Sequence, residues 1–188
     1  MDHERFESIV RSRTARIAVG PSTVRGRGNK GTVAASRDYL RGMDLAPFGT
    51  ADADQFAAAL DRKTERLRLG LPPEAQHWGL ARKVLNIYLR DCLYTAYLCR
   101  YALQDAERLY ELPLDSITSL NLRAEVGGRR LPPWPGVKYL TPDLNEVYQD
   151  AAARVAKSHG LARVHLDALW WSVSRDSEDV ANERGEAR

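Results

Sequence analysis

Residues 78–94 read WGLARKVLNIYLRDCLY. Apolar side chains recur at Trp78, Ala81, Leu85, Tyr88, Leu89 and Cys92 and continue to Ala96 and Leu98, the spacing of one helix face. That periodicity predicts a long helix from about Gln76 to Ala102. Gly79, Lys83, Asn86 and Arg90 fall off the apolar stripe, on a single polar flank. No alternating strand pattern, βαβ rhythm or internal repeat appears elsewhere. The chain therefore reads as all-α, a compact bundle of about seven to nine helices.

Working toward the N-terminus, "PFGTADADQFAAALDRKTERLRLG" places acids early and Arg66 and Arg68 late, which complements a helix dipole. This predicts a helix that starts after Thr50 and ends at Gly70, before the Pro72-Pro73 turn. Thr32–Gly42 and residues 1–19 also read as helices. Between them lies "GPSTVRGRGNKGT", rich in glycine and cations. It lacks the Gly-Lys-Ser/Thr of a P-loop. Two readings stand for it: a solvated surface loop, or a loop whose backbone and Arg25, Arg27 and Lys30 contact phosphates.

Toward the C-terminus, Pro113 breaks the chain and Asp115 stands as an N-cap before a short helix, Ser116–Ala124. "VGGRRLPPWPGVKYL" is an irregular loop. Thr141 caps the next helix, Pro142 opens it and Gly160 stops it. "LARVHLDALWWSV" fits either strand or helix by pattern, and the helical surroundings favour helix. His165 and Asp167 share a face only if that segment is a strand.

The 188 residues fit one helical domain over 1–174, with a basic part at 1–45 and the core at 46–174. The charged tail 175–188 is expected to be frayed. Residues 1–41 carry nine Lys/Arg against four acids, a net of +5 hidden within an overall +3. Such a region suits a polyanion or is simply a solvated surface. No stretch approaches the roughly 20 apolar residues of a membrane span, and no apolar signal core is present. We expect a cytoplasmic, nucleoid-associated chain. Cys92 and Cys99, read as seven apart on one helix, are too far apart to bridge. Two cysteines cannot hold a four-cysteine iron–sulfur cluster, and the four histidines lack metal-ligand spacing. We expect neither metal nor cofactor.

Lys83 and Asp115 are the candidate chemical pair. A neutral lysine can attack the anomeric carbon of a nucleotide and form a Schiff base after ring opening. A carboxylate beside it can activate the amine or stabilise the cationic sugar as the base departs. The plainer reading makes Lys83 a solvated helix lysine and Asp115 only a cap.

"LPLDSITSLNLR" resembles the hydrophobic-Pro-hydrophobic-Asp turn of helix-hairpin-helix (HhH-GPD) DNA glycosylases, whose catalytic aspartate also caps the following helix. The gap of 32 residues from Lys83 to Asp115 is similar to that of the archaeal 8-oxoguanine glycosylase (AGOG) branch. The resemblance covers roughly Trp78 to Ala124. It departs from the superfamily's Leu-Pro-Gly-Val-Gly hairpin, which stands two residues before the lysine. Here the stretch is "LPPEAQHWGLARK", with Gly79 four residues before Lys83.

The resemblance implies Lys83 as Schiff-base lysine and Asp115 as catalytic aspartate. It implies a monomer acting on double-stranded DNA with one base flipped out, 8-oxoguanine-like as the first substrate. Trp78, His77, Asn86 and Asp167 are then candidates to contact the base, and Gly79 and Arg82 join Arg25, Arg27 and Lys30 as backbone contacts. The competing reading of Asp167, the one favoured from the residues alone, is a structural salt bridge to an arginine. The competing functions are a non-catalytic helical DNA-binding module, a protein-binding helical module, and a glycosylase acting on modified phage bases in defence.

Overall fold

The computed structural model describes residues 2–24 and 31–170. Arg25, Arg27, Lys30 and the tail 175–188, singled out from sequence, lie outside the described residues. The described residues form helices joined by loops, with no strand among them. Six α-helices span His3–Ala18 (α1), Thr32–Gly42 (α2), Ala53–Gly70 (α3), Trp78–Leu93 (α4), Ser116–Glu125 (α5) and Pro142–Ser158 (α6). No described helix is long and apolar enough to cross a membrane.

The helix ends follow local chemistry. Asp2 caps α1 by accepting the Arg5 amide at 2.7 Å, and Asp52 caps α3 through the amides of Asp54 and Gln55. Beyond α6, Gly160 takes φ +68°. Its amide reaches the Lys157 carbonyl and the Leu161 amide reaches that of Ala156, a paired closure that satisfies two end carbonyls.

α4 ends at Leu93, nine residues before the sequence suggests. The chain continues in 3-10 segments, Ala96–Tyr101 and Leu103–Leu109, joined by Ala102 at φ +52°. The apolar rhythm survives the break because these segments still bury Leu98, Leu103 and Ala106. Thus Cys92 lies buried on α4 while Cys99 is exposed on the following segment, and the one-helix reading of the pair is corrected. Residues 163–170 are helical, as favoured.

Two apolar clusters form. The first gathers α1, α2 and α3 around α4, which contributes Leu80, Val84, Leu85, Tyr88 and Leu89. The second joins α5, α6 and the loop before α6 through Leu112, Leu114, Leu122, Leu140, Tyr148, Ala152 and Trp170. Full burial of each leucine side chain contributes roughly 1.5–3 kcal/mol.

Gly79 is where α4 meets the second half. A Cβ there would lie 2.3 Å from the Val137 carbonyl oxygen and 2.7 Å from the Leu140 Cβ. Gly79 is buried against this turn, so the expected DNA-backbone contact at that residue is corrected: the missing side chain makes room for protein. Gly79→Ala should displace the 137–140 turn at a cost of about 2 kcal/mol, lowering the thermal midpoint by roughly 4–8 °C. Calorimetry checks this, and an unchanged midpoint would contradict the close approach.

Candidate active site

Asp115 is held by its own helix. Its Oδ1 accepts the amides of Ile117 and Thr118 at 2.9 and 3.0 Å, capping α5. The Thr118 hydroxyl completes the capping box by accepting the Asp115 amide at 2.9 Å, and it donates to the Pro113 carbonyl. With Oδ1 committed to the cap, Oδ2 turns to Lys83, whose Nζ lies 3.3 Å away. Nζ also donates to the Thr23 carbonyl at 3.2 Å. The Lys83 side chain is only 10% exposed and that of Asp115 19%.

Both residues line one cavity of about 520 Å³, within the roughly 300–1,000 Å³ of small-molecule pockets. Ile17, Leu80, Ile87, Ile117, Trp134 and Val137 supply apolar wall, with Ser22 and Thr23 at the α1 end. Trp134 meets Tyr148 edge-on at 5.4 Å, which fixes its ring.

A second charged pair stands two turns along α4. Arg90 pairs with Asp167 and with Asp91, the latter at 2.9 Å from Nη2 to Oδ1. Arg90 and Asp167 line the cavity. Burial pushes the Asp91 carboxyl above its ordinary value, against the pull of Arg90. Asp167 thus lines the cavity as a salt-bridged acid, the structural pairing with an arginine that is one of its two sequence readings. His165 points elsewhere: its Nδ1 meets the Tyr94 hydroxyl at 2.8 Å and its Nε2 meets Glu107 at 2.7 Å.

Other expected contacts are corrected. Arg82 is 6% exposed, its Nε and Nη2 each 2.8 Å from Glu111 and its Nη1 2.9 Å from Asp61. A guanidinium so enclosed does not reach a DNA phosphate. Asn86 is buried and donates to Glu111 at 2.9 Å. A turn of 100° per residue sets it nearer Arg82 than Lys83, so it follows Arg82 inward. Trp78 packs on the second cluster with Arg82 over its ring at 5.2 Å, and neither it nor His77 lines the cavity.

The flat aromatic wall is instead Trp134, in a loop that sequence patterning leaves unassigned. Arg90, placed by the sequence on the polar flank of Lys83 but not among the candidate site residues, also lines the cavity. Its place seven after Lys83, on the same flank, is a signal present in the sequence. Glu111 was missed as well. Burial raises its carboxyl, but Arg82, Asn86 and Arg163 together outweigh burial and leave it below its ordinary value.

Among the described residues no three His, Cys, Asp or Glu side chains are grouped as a metal site requires. No protein-family model, curated protein or solved structure matches the chain.

Proposed function

We propose that the protein is a DNA glycosylase that flips a modified base into the cavity and removes it, with Lys83 as nucleophile. One observation carries the reading: the Lys83 amine and the free oxygen of Asp115 stand 3.3 Å apart inside a cavity of about 520 Å³. The likeness of residues 112–123 to the glycosylase turn agrees with it.

The chemistry balances on these two groups. Asp115 Oδ2 takes a proton from the Lys83 ammonium. Nζ then bonds to C1′ as the glycosidic bond breaks, its electron pair leaving with the base, which takes the proton held by Asp115. Asp115, a carboxylate again once that proton has passed to the base, stabilises the positive charge on the sugar adduct. A proton moves from Nζ to O4′ as the C1′–O4′ bond opens, its electron pair going to the ring oxygen, and an iminium is left on Nζ. Loss of a C2′ proton and of the 3′ phosphate gives strand scission, and water then frees the lysine. Trp134 provides a flat surface for the extruded base.

The test is a panel of duplexes, each with one modified base. 8-Oxoguanine comes first and a bulky modified pyrimidine of viral type second. Base release is read by chromatography and the iminium by borohydride trapping. We expect release from at least one duplex together with a reducible adduct. Duplex binding without release anywhere on the panel would leave a non-catalytic DNA-binding module in its place. Release confined to the viral-type base would assign the protein to phage defence rather than repair.

A further inference from the structure

We infer that Arg82 and Glu111, which do not line the cavity, are positioning residues that set the register of Lys83 against Asp115; the inference rests on the glycosylase reading above. Arg82 is the neighbour of Lys83, and Glu111 stands four residues before Asp115 on the turn that carries it. Two parallel hydrogen bonds of 2.8 Å join them, from Nε to Oε2 and from Nη2 to Oε1. A fork of this kind fixes rotation as well as distance. The third guanidinium nitrogen is fastened to α3, at 2.9 Å from Asp61 and 3.0 Å from the Thr64 hydroxyl.

The turn is gripped from the other side by α6. Asn145 donates to Glu111 Oε1 at 3.3 Å. Gln149 brackets Leu112, accepting its amide at 2.9 Å and donating to its carbonyl at 2.8 Å. Pro113 is held through its carbonyl by Thr118. Residues 111, 112, 113 and 115 therefore each carry a defined polar tether, and the chain between Arg82 and Asp115 has little freedom to slide.

A buried ion pair is a poor source of stability, since an apolar pair of similar volume commonly serves as well. Its geometry is what an apolar pair lacks. A shift of about 1 Å between reacting groups can cost on the order of 100-fold in rate. The pair's value is then registry, read out in the chemical step.

The experiment uses a duplex carrying an abasic site, so that no base need be identified, with trapping by cyanoborohydride under single-turnover conditions. Arg82→Lys keeps the charge and loses the fork. Arg82→Met with Glu111→Leu removes both charges. For each folded variant we expect duplex affinity within about twofold of the parent and adduct formation slower by roughly 10–100-fold. A merely structural role would leave the rate of the folded fraction unchanged, so a parental rate in either folded variant overturns the inference.

A second readout needs no DNA. The chain has five lysines, and the side-chain nitrogen signal of Lys83 is assigned by its loss in Lys83→Gln. In Arg82→Lys that signal should move, and an unmoved signal overturns the positioning role. Should the parent protein form no adduct and release no base, the glycosylase reading fails while the Lys83 signal still decides the register.

Discussion

Lys83→Gln is expected to abolish the reducible adduct on an abasic duplex, lowering trapping by roughly 1,000-fold or more, because an amide cannot form an imine. The fold should survive. The side chain reaches into a cavity rather than the core, and the glutamine amide can still donate to the Thr23 carbonyl. Asp115 keeps its cap contacts with Ile117 and Thr118. We therefore expect a stability change below about 1 kcal/mol, measured as the thermal midpoint alongside the adduct on a denaturing gel. Base release that persists without adduct would make the protein a monofunctional glycosylase, with water in the place of the amine. An adduct undiminished in Lys83→Gln would move the nucleophile to another amine and remove Lys83 from the mechanism.

Asp115→Asn separates the two duties of that residue. Asparagine caps helices about as well as aspartate, and its oxygen can keep the amides of Ile117 and Thr118. The α5 terminus should thus hold, with a stability change of a few tenths of a kcal/mol. The group facing Lys83 becomes a donor instead of an acceptor. It can neither take a proton nor stabilise a positive sugar, and base release should fall by roughly 100–10,000-fold. Asp115→Ala should show the same loss and also cost about 1 kcal/mol from the missing cap, or ~2–4 °C. The comparison is made by single-turnover base release and by calorimetry on the same preparations. Near-parental release in the asparagine variant would reduce Asp115 to a cap.

The ease with which each part can be read from sequence follows from how local its cause is. Asp115 is legible because capping is a short-range matter: a proline, an acid and a helical run lie within a few residues. Lys83 is legible because α4 repeats its apolar positions and leaves the lysine off them. Glu111 is not legible in this way. In "YELPLD" it resembles any surface acid, and its burial is decided by Arg82, 29 residues earlier, and Asn145, 34 residues later. Arg82 is misread for the same reason, since an arginine beside a candidate lysine looks exposed until its partner is seen. The end of α4 escapes because nothing at Leu93 is a glycine or a proline. Trp134 escapes because loop residues carry no periodicity that says which way they face.

Trp134, Gly136 and Val137 line one wall of the cavity, and they stand on an irregular stretch where Gly127, Gly128 and Gly136 all adopt positive φ. Lys83 and Asp115 belong to α4 and the mouth of α5. Insertions and replacements are tolerated far better in such stretches than in helices. On the proposed glycosylase function, a change of preferred base can consequently come from replacements in this stretch alone, with Lys83 and Asp115 left as they are.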